Sequence, residues 1–285
     1  MGARNRPVIS RPQPDPEALA AFGDIDPVHA RLFAMRGLSS AAQLDYSLAR
    51  LAPVGLLDNI DAAAQQVLDS RGGRIIVVGD FDVDGATSTA LILRCLRAFG
   101  FTDVDYLVPN RFAYGYGLSP EIVRVAAERE PALLITVDNG ISSLEGVAEA
   151  NALGIPVLVT DHHLPGSELP DAAVIVNPNL PGSAFPSKYL AGVGVAFYLM
   201  ARVGRLLQDQ GMVGAARVPA KFLDLVALGT VSDVVALDHN NRVLVHQGLL
   251  LMRAGHAVAW ITALLRQSSR QPARCVSADL GFAAG

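Results

Sequence analysis

Short apolar segments rich in β-branched residues recur between residues 74 and 179, and this pattern constrains the fold more than any other feature. The segments are RIIVVGD (74–80), VDYLVPN (104–110), ALLITVDNG (132–140), IPVLVTDHH (155–163) and AAVIVNPN (172–179). Helical segments separate the first four of them: ATSTALILRCLRAFG, SPEIVRVAAERE and SSLEGVAEANALG. Short, uniformly apolar strands that alternate with helices indicate a parallel sheet. The sequence therefore predicts an α/β fold: a sheet of about five parallel strands covered by helices on both faces.

The regions outside this alternation are mostly helical. Residues 1–16, rich in Pro and Arg, predict a disordered arm, and residues 17–73 predict an N-terminal helical extension. We expect the α/β core to span residues 74–240 and a C-terminal helical segment to span residues 241–285.

Composition excludes several classes of protein. The chain is 51% hydrophobic, but stretches such as YLAGVGVAFYLM end at an arginine before they reach the roughly 18 apolar residues of a membrane span. The N-terminus has no apolar signal core. Cys95 and Cys275 have neither metal-site spacing nor a disulfide framework. We therefore expect a cytoplasmic protein that makes no use of a membrane.

The net charge of −4 does not by itself indicate binding to nucleic acid. The C-terminal part is nevertheless basic, with Asp279 as the only acidic residue against five arginines: Arg242, Arg253, Arg266, Arg270 and Arg274. These arginines either follow a phosphate backbone or form a solvated helix face.

Polar side chains follow every predicted strand at the point where it ends. They are Asp80, Asp82 and Asp84; Asn110 and Arg111; Asp138 and Asn139; Asp161, His162 and His163; and Asn177 and Asn179. Because parallel strands end at one edge of the sheet, where open α/β folds bind ligands, these side chains should converge.

Each of these residues alone has an ordinary explanation, since an aspartate after a strand is usually a helix N-cap. Several carboxylates and a histidine pair on one edge, however, would repel and lose solvation unless a cation lay between them. Oxygen and imidazole ligands without thiolates favour Mn²⁺ or Mg²⁺. The number of carboxylates suggests two ions sharing a bridging aspartate, roughly 3.5–4 Å apart. GDFDVDG lacks the lysine of a P-loop and the glycine spacing of a dinucleotide-binding turn.

Four stretches, in this order, resemble the motifs of the DHH phosphoesterase superfamily: GDFDVDGATSTALI, TVDNGISS, TDHHLPG and LGTVSDVV. Three more resemble the RecJ family of single-strand-specific 5′→3′ exonucleases within it: VPNRFAYGYGLSP, VNPNLPGSAFPSKYLAGVGVAFYLM and VALDHNNRVLVHQGL. The resemblance extends from about Ala20 to the end of the chain.

The resemblance implies a set of metal ligands: Asp82, Asp84, Asp138, His162 and Asp233. Asp233 follows the helical run KFLDLVALG and is identified only through the resemblance. Asp80 and Asp161 are expected to orient the histidine and carboxylate ligands or to act as alternative ligands. His163 is expected to face the scissile phosphate as a hydrogen-bond donor or acid.

The expected substrate-binding residues are less specific. Arg111, beside Asn110, is suited to pair with a phosphate oxygen, and Tyr114 and Tyr116 either stack on a base or pack a loop. Asn177 belongs to the same predicted set. Gly192 and Gly194 either bring helix amides near phosphate or allow close helix packing.

The resemblance implies a 5′→3′ exonuclease that hydrolyses single-stranded DNA with two Mn²⁺ or Mg²⁺ ions and releases 5′-mononucleotides in DNA repair and recombination. Its expected partners are single-stranded DNA and proteins such as a single-stranded-DNA-binding protein or a helicase, and a monomer is expected. Family members continue into a second domain of the DHHA1 type, so we expect this chain to be a fragment. Two alternatives stay open: a phosphoesterase acting on short oligonucleotides or small nucleotides, and a non-catalytic scaffold that binds DNA or a replication protein.

Overall fold

The computed structural model describes residues 13–109 and 117–285, and the chain divides between Tyr46 and Ser47 into two compact units. Within the described ranges, no helix has the length and apolar character needed to cross a bilayer. Both cysteines are buried and free, as their spacing predicts.

The first unit consists of two short helices and a turn: α1 (Pro16–Ala20), α2 (Pro27–Met35) and a 3₁₀ turn (Ala41–Leu44). Each helix begins with proline after an aspartate whose carboxylate accepts backbone N–H groups, Asp15 for α1 and Asp26 for α2. A small apolar cluster centred on Phe22 holds this unit together.

The second unit contains the sheet, formed by β1 (Arg74–Val78), β2 (Val104–Leu107), β3 (Pro131–Val137), β4 (Val157–Thr160) and β5 (Val174–Val176). All neighbouring strands are parallel, and their order is β2-β1-β3-β4-β5. The predicted sheet of parallel strands is therefore confirmed. The chain leaves β1 in one direction to form β2 and returns on the other side of β1 to form β3. The switch point of the topology, where such sheets bind ligands, thus lies between β1 and β3.

The described helices of this unit are α3 (Ile60–Asp69), α4 (Val83–Ala98), α5 (Pro120–Ala127), α6 (Leu144–Ala152), α7 (Gly192–Asp209), α8 (Leu223–Ser232), α9 (His239–Arg253), α10 (Ala259–Gln267) and α11 (Ser277–Ala284). Short 3₁₀ turns lie at Leu48–Arg50, Val54–Leu56, Ala215–Arg217, Pro219–Phe222 and Pro272–Arg274.

Alternate residues along the central strands point to opposite faces, and both faces are covered. Ile75 and Ile135 pack in the larger cluster with α3, α4, α7 and α8. Ile76 and Leu134 pack in the smaller cluster with α5 and α6. The uniform apolar character of the strands follows from this double burial. The predicted boundaries at residues 73 and 240 stay predictions; α3 and α9 both contribute to the larger cluster.

Three of the five C-terminal arginines have partners within the protein. Arg253 donates to the carbonyl of Cys275 at 2.9 Å, and Arg242 donates to the carbonyl of Leu237 at 2.7 Å. Arg270 lies 4.3 Å from the ring centre of Phe282. Arg266 and Arg274 are exposed.

Candidate metal centre

The turn from β1 into α4 sets the first group of carboxylates. Asp82 caps α4, since its Oδ1 accepts the Gly85 N–H at 2.8 Å. A Cβ at Gly85 would lie 2.7 Å from backbone atoms of Asp80, so only glycine permits a turn this tight. The tight turn places Asp80, Asp82 and Asp84 at the same edge of the sheet.

Asp84 is fully buried in the first turn of α4, and two amides from a distant helix hold it. Its Oδ2 accepts the Gly192 N–H at 2.7 Å, and its Oδ1 accepts the Val193 N–H at 2.9 Å. Both amides belong to the N-terminus of α7, the positive end of the helix dipole. Burial, followed by the nearby Asp138 carboxylate, still raises the pKa of Asp84 well above its ordinary value. The amides therefore offset only part of the cost of a charge here.

Asp138 follows β3 in the left-handed conformation, with φ of 61°. Its amide donates to the Thr160 carbonyl at 3.1 Å, which extends the β3–β4 pairing by one residue. Burial, followed by the Asp82 carboxylate, raises the pKa of Asp138 to about 9. A cation at this position would remove the cause of the shift.

Three carboxylates from three elements surround one ring nitrogen. The Nε2 atom of His162 lies 3.0 Å from Asp138 Oδ1, 3.6 Å from Asp233 Oδ2 and 3.9 Å from Asp84 Oδ2. Two of these atoms, His162 Nε2 and Asp233 Oδ2, are buried without a hydrogen-bond partner among the described residues. Buried polar atoms are rarely left without a partner, and a bound ion is a recognised explanation.

The ligand-capable atoms form three sets among the described residues, with the atoms of each set within 4.8 Å of one another. Asp84, His162 and Asp233 make one set, and Asp80, Asp82 and Asp138 make another. The third set, Asp138, His162 and His163, shares a residue with each of the other two. Oxygen-rich donors with one imidazole suit Mn²⁺ and Mg²⁺. The donor set therefore fits two divalent ions on either side of Asp138.

Asp161 and His163 form a separate pair beside these ligands. Asp161 Oδ1 lies 2.8 Å from His163 Nδ1 and accepts a hydrogen bond from the His162 amide at 2.7 Å. Asp161 Oδ2 accepts a hydrogen bond from the Ile141 amide at 2.9 Å. Burial acts to raise the pKa of Asp161, but the hydrogen bonds from His163 and the backbone lower it overall. The same pairing raises the pKa of His163 to about 9. The contact with Asp161 therefore fixes the orientation of the His163 ring.

The structure gives other predicted residues supporting positions. Asn177 is fully buried, with Nδ2 donating to the His163 carbonyl at 2.9 Å and Oδ1 accepting the Asn179 amide at 2.8 Å. It fixes the histidine segment and presents no surface to a substrate. The Gly192 amide binds Asp84, and a Cβ on Gly194 would strike the Leu190 side chain. The predicted substrate residues Asn110, Arg111, Tyr114 and Tyr116 lie outside the described residues.

Asn139 has a role that was not assigned from the sequence. Its Nδ2 donates to the Val78 carbonyl at 3.1 Å and the Val137 carbonyl at 2.8 Å, which ties the ends of β1 and β3 together. The motif DNG, a turn signal directly after a buried strand, was the available hint. The contact of the Val193 amide with Asp84 could not be predicted from the sequence, because almost every residue carries a backbone N–H donor.

Without metal, the stability of the protein should fall as pH rises from 5 to 9. Unfolded aspartate releases its proton near pH 4, whereas folded Asp138 holds it to about 9, and the pKa of Asp84 is raised in the same direction. His163 adds to this trend above about pH 6.5. The folded state binds more protons throughout this window, so unfolding becomes easier as pH rises. The lowered pKa of Asp161 acts only below the window.

The measurement is the Tm in chelator between pH 5 and 9. Saturating Mn²⁺ should remove most of the decline, because the ion replaces the protons. A Tm that stays level or rises with pH in chelator would contradict the electrostatic description of the centre.

Comparisons with known proteins identify a family and relatives that this chain resembles. A family model described as the DHH family, N-terminal domain, matches residues 74–230. The single-stranded-DNA-specific exonucleases RecJ of Salmonella typhimurium and Escherichia coli are 54% and 52% identical to the chain over 268 residues. Each match covers 92% of this chain and 46% of the relative. The chain thus spans about half the length of these curated relatives.

Solved structures agree with the sequence matches. The crystal structure of RecJ in complex with Mn²⁺ from Thermus thermophilus aligns with a TM-score of 0.76 at 31% identity, covering 93% of this chain and 37% of that one. The complex of RecJ with Mg²⁺ from the same organism aligns with a TM-score of 0.62 at 26% identity, covering 93% and 33%. The predicted resemblance and fold are confirmed.

Proposed function

The chain belongs to the DHH family, and we propose that it carries the metal centre of a 5′→3′ exonuclease specific for single-stranded DNA. The observation that carries this proposal is the convergence of Asp84, Asp138 and Asp233 on the Nε2 atom of His162. Two relatives that are 54% and 52% identical in sequence are named single-stranded-DNA-specific exonuclease, and this supports the choice of substrate.

Two sets of residues would hold the ions. Asp84, His162 and Asp233 would bind one, and Asp82 with Asp80 would bind the other, with Asp138 between them. Related RecJ structures contain Mn²⁺ or Mg²⁺, which supports either ion. The chemistry that such a pair supplies when bound is a nucleophilic water at neutral pH and neutralisation of charge on the phosphoryl oxygens.

The protein itself contributes positioning and a proton. The contact between Asp161 and Nδ1 of His163 turns the Nε2 edge of the ring away from Asp161. With its pKa raised to about 9, His163 carries a proton at neutral pH. It therefore donates a hydrogen bond to a phosphoryl oxygen, or its proton to the departing 3′-oxygen. In-line hydrolysis of the terminal phosphodiester then releases a 5′-mononucleotide.

Further features come from the sequence. Arg111 with Asn110 binds a phosphate, and Tyr114 and Tyr116 stack on bases. In this proposal the protein acts in the cytoplasm as a monomer, in repair and recombination, beside a single-stranded-DNA-binding protein or a helicase.

The test is a cleavage assay with end-labelled oligonucleotides. With Mn²⁺ the protein should shorten a single strand from its 5′ end into mononucleotides, leave a blunt duplex intact and lose activity in chelator. A dinucleotide should be cleaved at least about tenfold more slowly than the strand, because it lacks most of the backbone contacts.

Preference for the dinucleotide would favour the small-substrate alternative. A rise in Tm with Mn²⁺ but no cleavage of any substrate would favour the scaffold.

A further inference from the structure

A cavity of ≈ 570 Å³ lies between His163 and residues of the loop after β3. It is lined by Gly140, Ile141, Ser142 and Ser143 of that loop, together with Asp161, His163 and Leu164. Its volume is within the range of small-molecule sites. Asp84, Asp138, His162 and Asp233 are not part of its described lining, so the cavity adjoins the reaction centre at Asp161 and His163.

Apart from His163, the described lining residues offer no cationic side chain to a phosphate group. Neither Lys nor Arg occurs among the described lining residues, and the oxygens of Asp161 accept hydrogen bonds from the protein. The walls are instead apolar side chains and small hydroxyls. Leu164 is 79% exposed and adds apolar surface to the lining. This surface favours a flat, largely apolar group with polar edges.

The loop is held in place before any ligand arrives. The Ile141 amide donates to Asp161 at 2.9 Å, and the Leu118 amide donates to Ser143 Oγ at 3.2 Å. The hydroxyl of Thr136 donates to the Asn139 carbonyl at 2.7 Å. A site fixed in this way costs little conformational entropy when a ligand binds.

We propose that this cavity receives a nucleobase next to the scissile phosphate, with the base lying against Leu164 and the edge of the loop at Ser142. The inference rests on the proposed function, since His163 is the residue that places the phosphate beside the cavity. Ser142 offers one hydroxyl and Ser143 Oγ already accepts the Leu118 amide, so no bidentate pair selects one base and the cavity accepts any base. Such a base site explains how a DNA strand of any sequence binds at the reaction centre.

The test compares normal strands with strands that carry an abasic residue at the first or second position. The wild-type protein should show a kcat/KM about tenfold lower on one of the abasic strands, the size expected for losing one base contact. Leu164→Ser should lower kcat/KM about five- to tenfold on the normal strand and leave that abasic strand within twofold. Ser142→Phe, which fills the cavity, should show the same selectivity.

The matched control is Leu153→Ser, which changes a leucine 48% exposed at the end of α6, outside the cavity. It should alter neither substrate. Equal losses on normal and abasic strands, or no loss on either, would overturn the proposal. An unchanged Mn²⁺-induced rise in Tm shows that each variant keeps the metal centre.

A second readout separates this inference from the proposed function. If the wild-type protein cleaves neither strand, the proposed function fails, and binding of free deoxyadenosine decides the cavity. The amide resonance of Leu164 should shift on titration with the wild type and stay fixed with Ser142→Phe. A resonance that does not move in the wild type would reject the base site.

Discussion

Replacing Asp138 by asparagine should lower the rate of single-strand cleavage by about 10³-fold or more. The carboxylate lies between both sets of candidate ligands and 3.0 Å from His162 Nε2. Its loss removes several kcal/mol of metal-dependent stabilisation of the transition state, and each 1.36 kcal/mol is a factor of ten. Asparagine tolerates the left-handed backbone at this position, whereas alanine does not.

The same variant should keep or gain stability in chelator. Burial and the Asp82 carboxylate raise the pKa of Asp138 to about 9, so its charge is unfavourable when no cation is present. The wild type should gain about 2.7 kcal/mol of unfolding free energy at 100 times the Kd for Mn²⁺, and the variant should gain almost none. Calorimetry with and without Mn²⁺ measures both effects.

Asp171→Asn, at an exposed loop position before β5, is the control and should change neither quantity. If Asp138→Asn cleaved single-stranded DNA with Mn²⁺ at nearly the wild-type rate, the assignment of Asp138 would be wrong.

Replacing Gly192 by alanine should reduce metal affinity and cleavage by about 100-fold. A Cβ here would lie 2.7 Å from the Cβ and 3.0 Å from the Cα of Asp138. Neither atom can move aside, so the start of α7 must shift and withdraw its amides from Asp84. Groups that hold a metal ligand in place typically contribute 10–100-fold to affinity or activity.

Gly194→Ala is the informative companion. Its new Cβ would meet only side-chain atoms of Leu190, at 2.5 Å, which can repack at a cost of about 1–3 kcal/mol in stability. Metal affinity should change little. Gly166→Ala, in open surroundings, should be neutral. Equal losses of Mn²⁺ affinity in the Gly192 and Gly194 variants would show that the two glycines do not differ as the structure indicates.

The sequence alone predicted the parallel sheet, because double burial forces its strands to be uniformly apolar. It also predicted which polar residues follow the strands, and therefore that Asp80, Asp82, Asp138 and His162 share one edge. These inferences need only the repeating pattern of apolar residues along the chain and the common direction of the strands.

The local sequence pattern could not predict the role of a residue whose partner lies in a distant segment of the chain. Nothing near Asn177 distinguishes a buried support from a substrate contact; the difference is set by the carbonyl of His163 and the amide of Asn179. Similarly, the helix predicted from SKYLAGVGVAF begins only at Gly192. Its first amides are directed at Asp84, more than 100 positions earlier in the chain.

Asp233 shows the division most clearly. The local pattern predicts only a helix followed by an aspartate, and resemblance to a family was needed to identify Asp233 as a ligand. In the structure, Gly229 lets α8 approach α4 so closely that a Cβ there would lie 2.3 Å from Thr87 Oγ1. That approach brings Asp233 Oδ2 to 3.6 Å from His162 Nε2. The periodicity of the apolar residues determines the strands and their shared edge. The packing of α8 against α4 determines that the Asp233 carboxylate reaches the metal centre. Only the tertiary structure shows this, because the distance between two packed helices depends on the side chains of both.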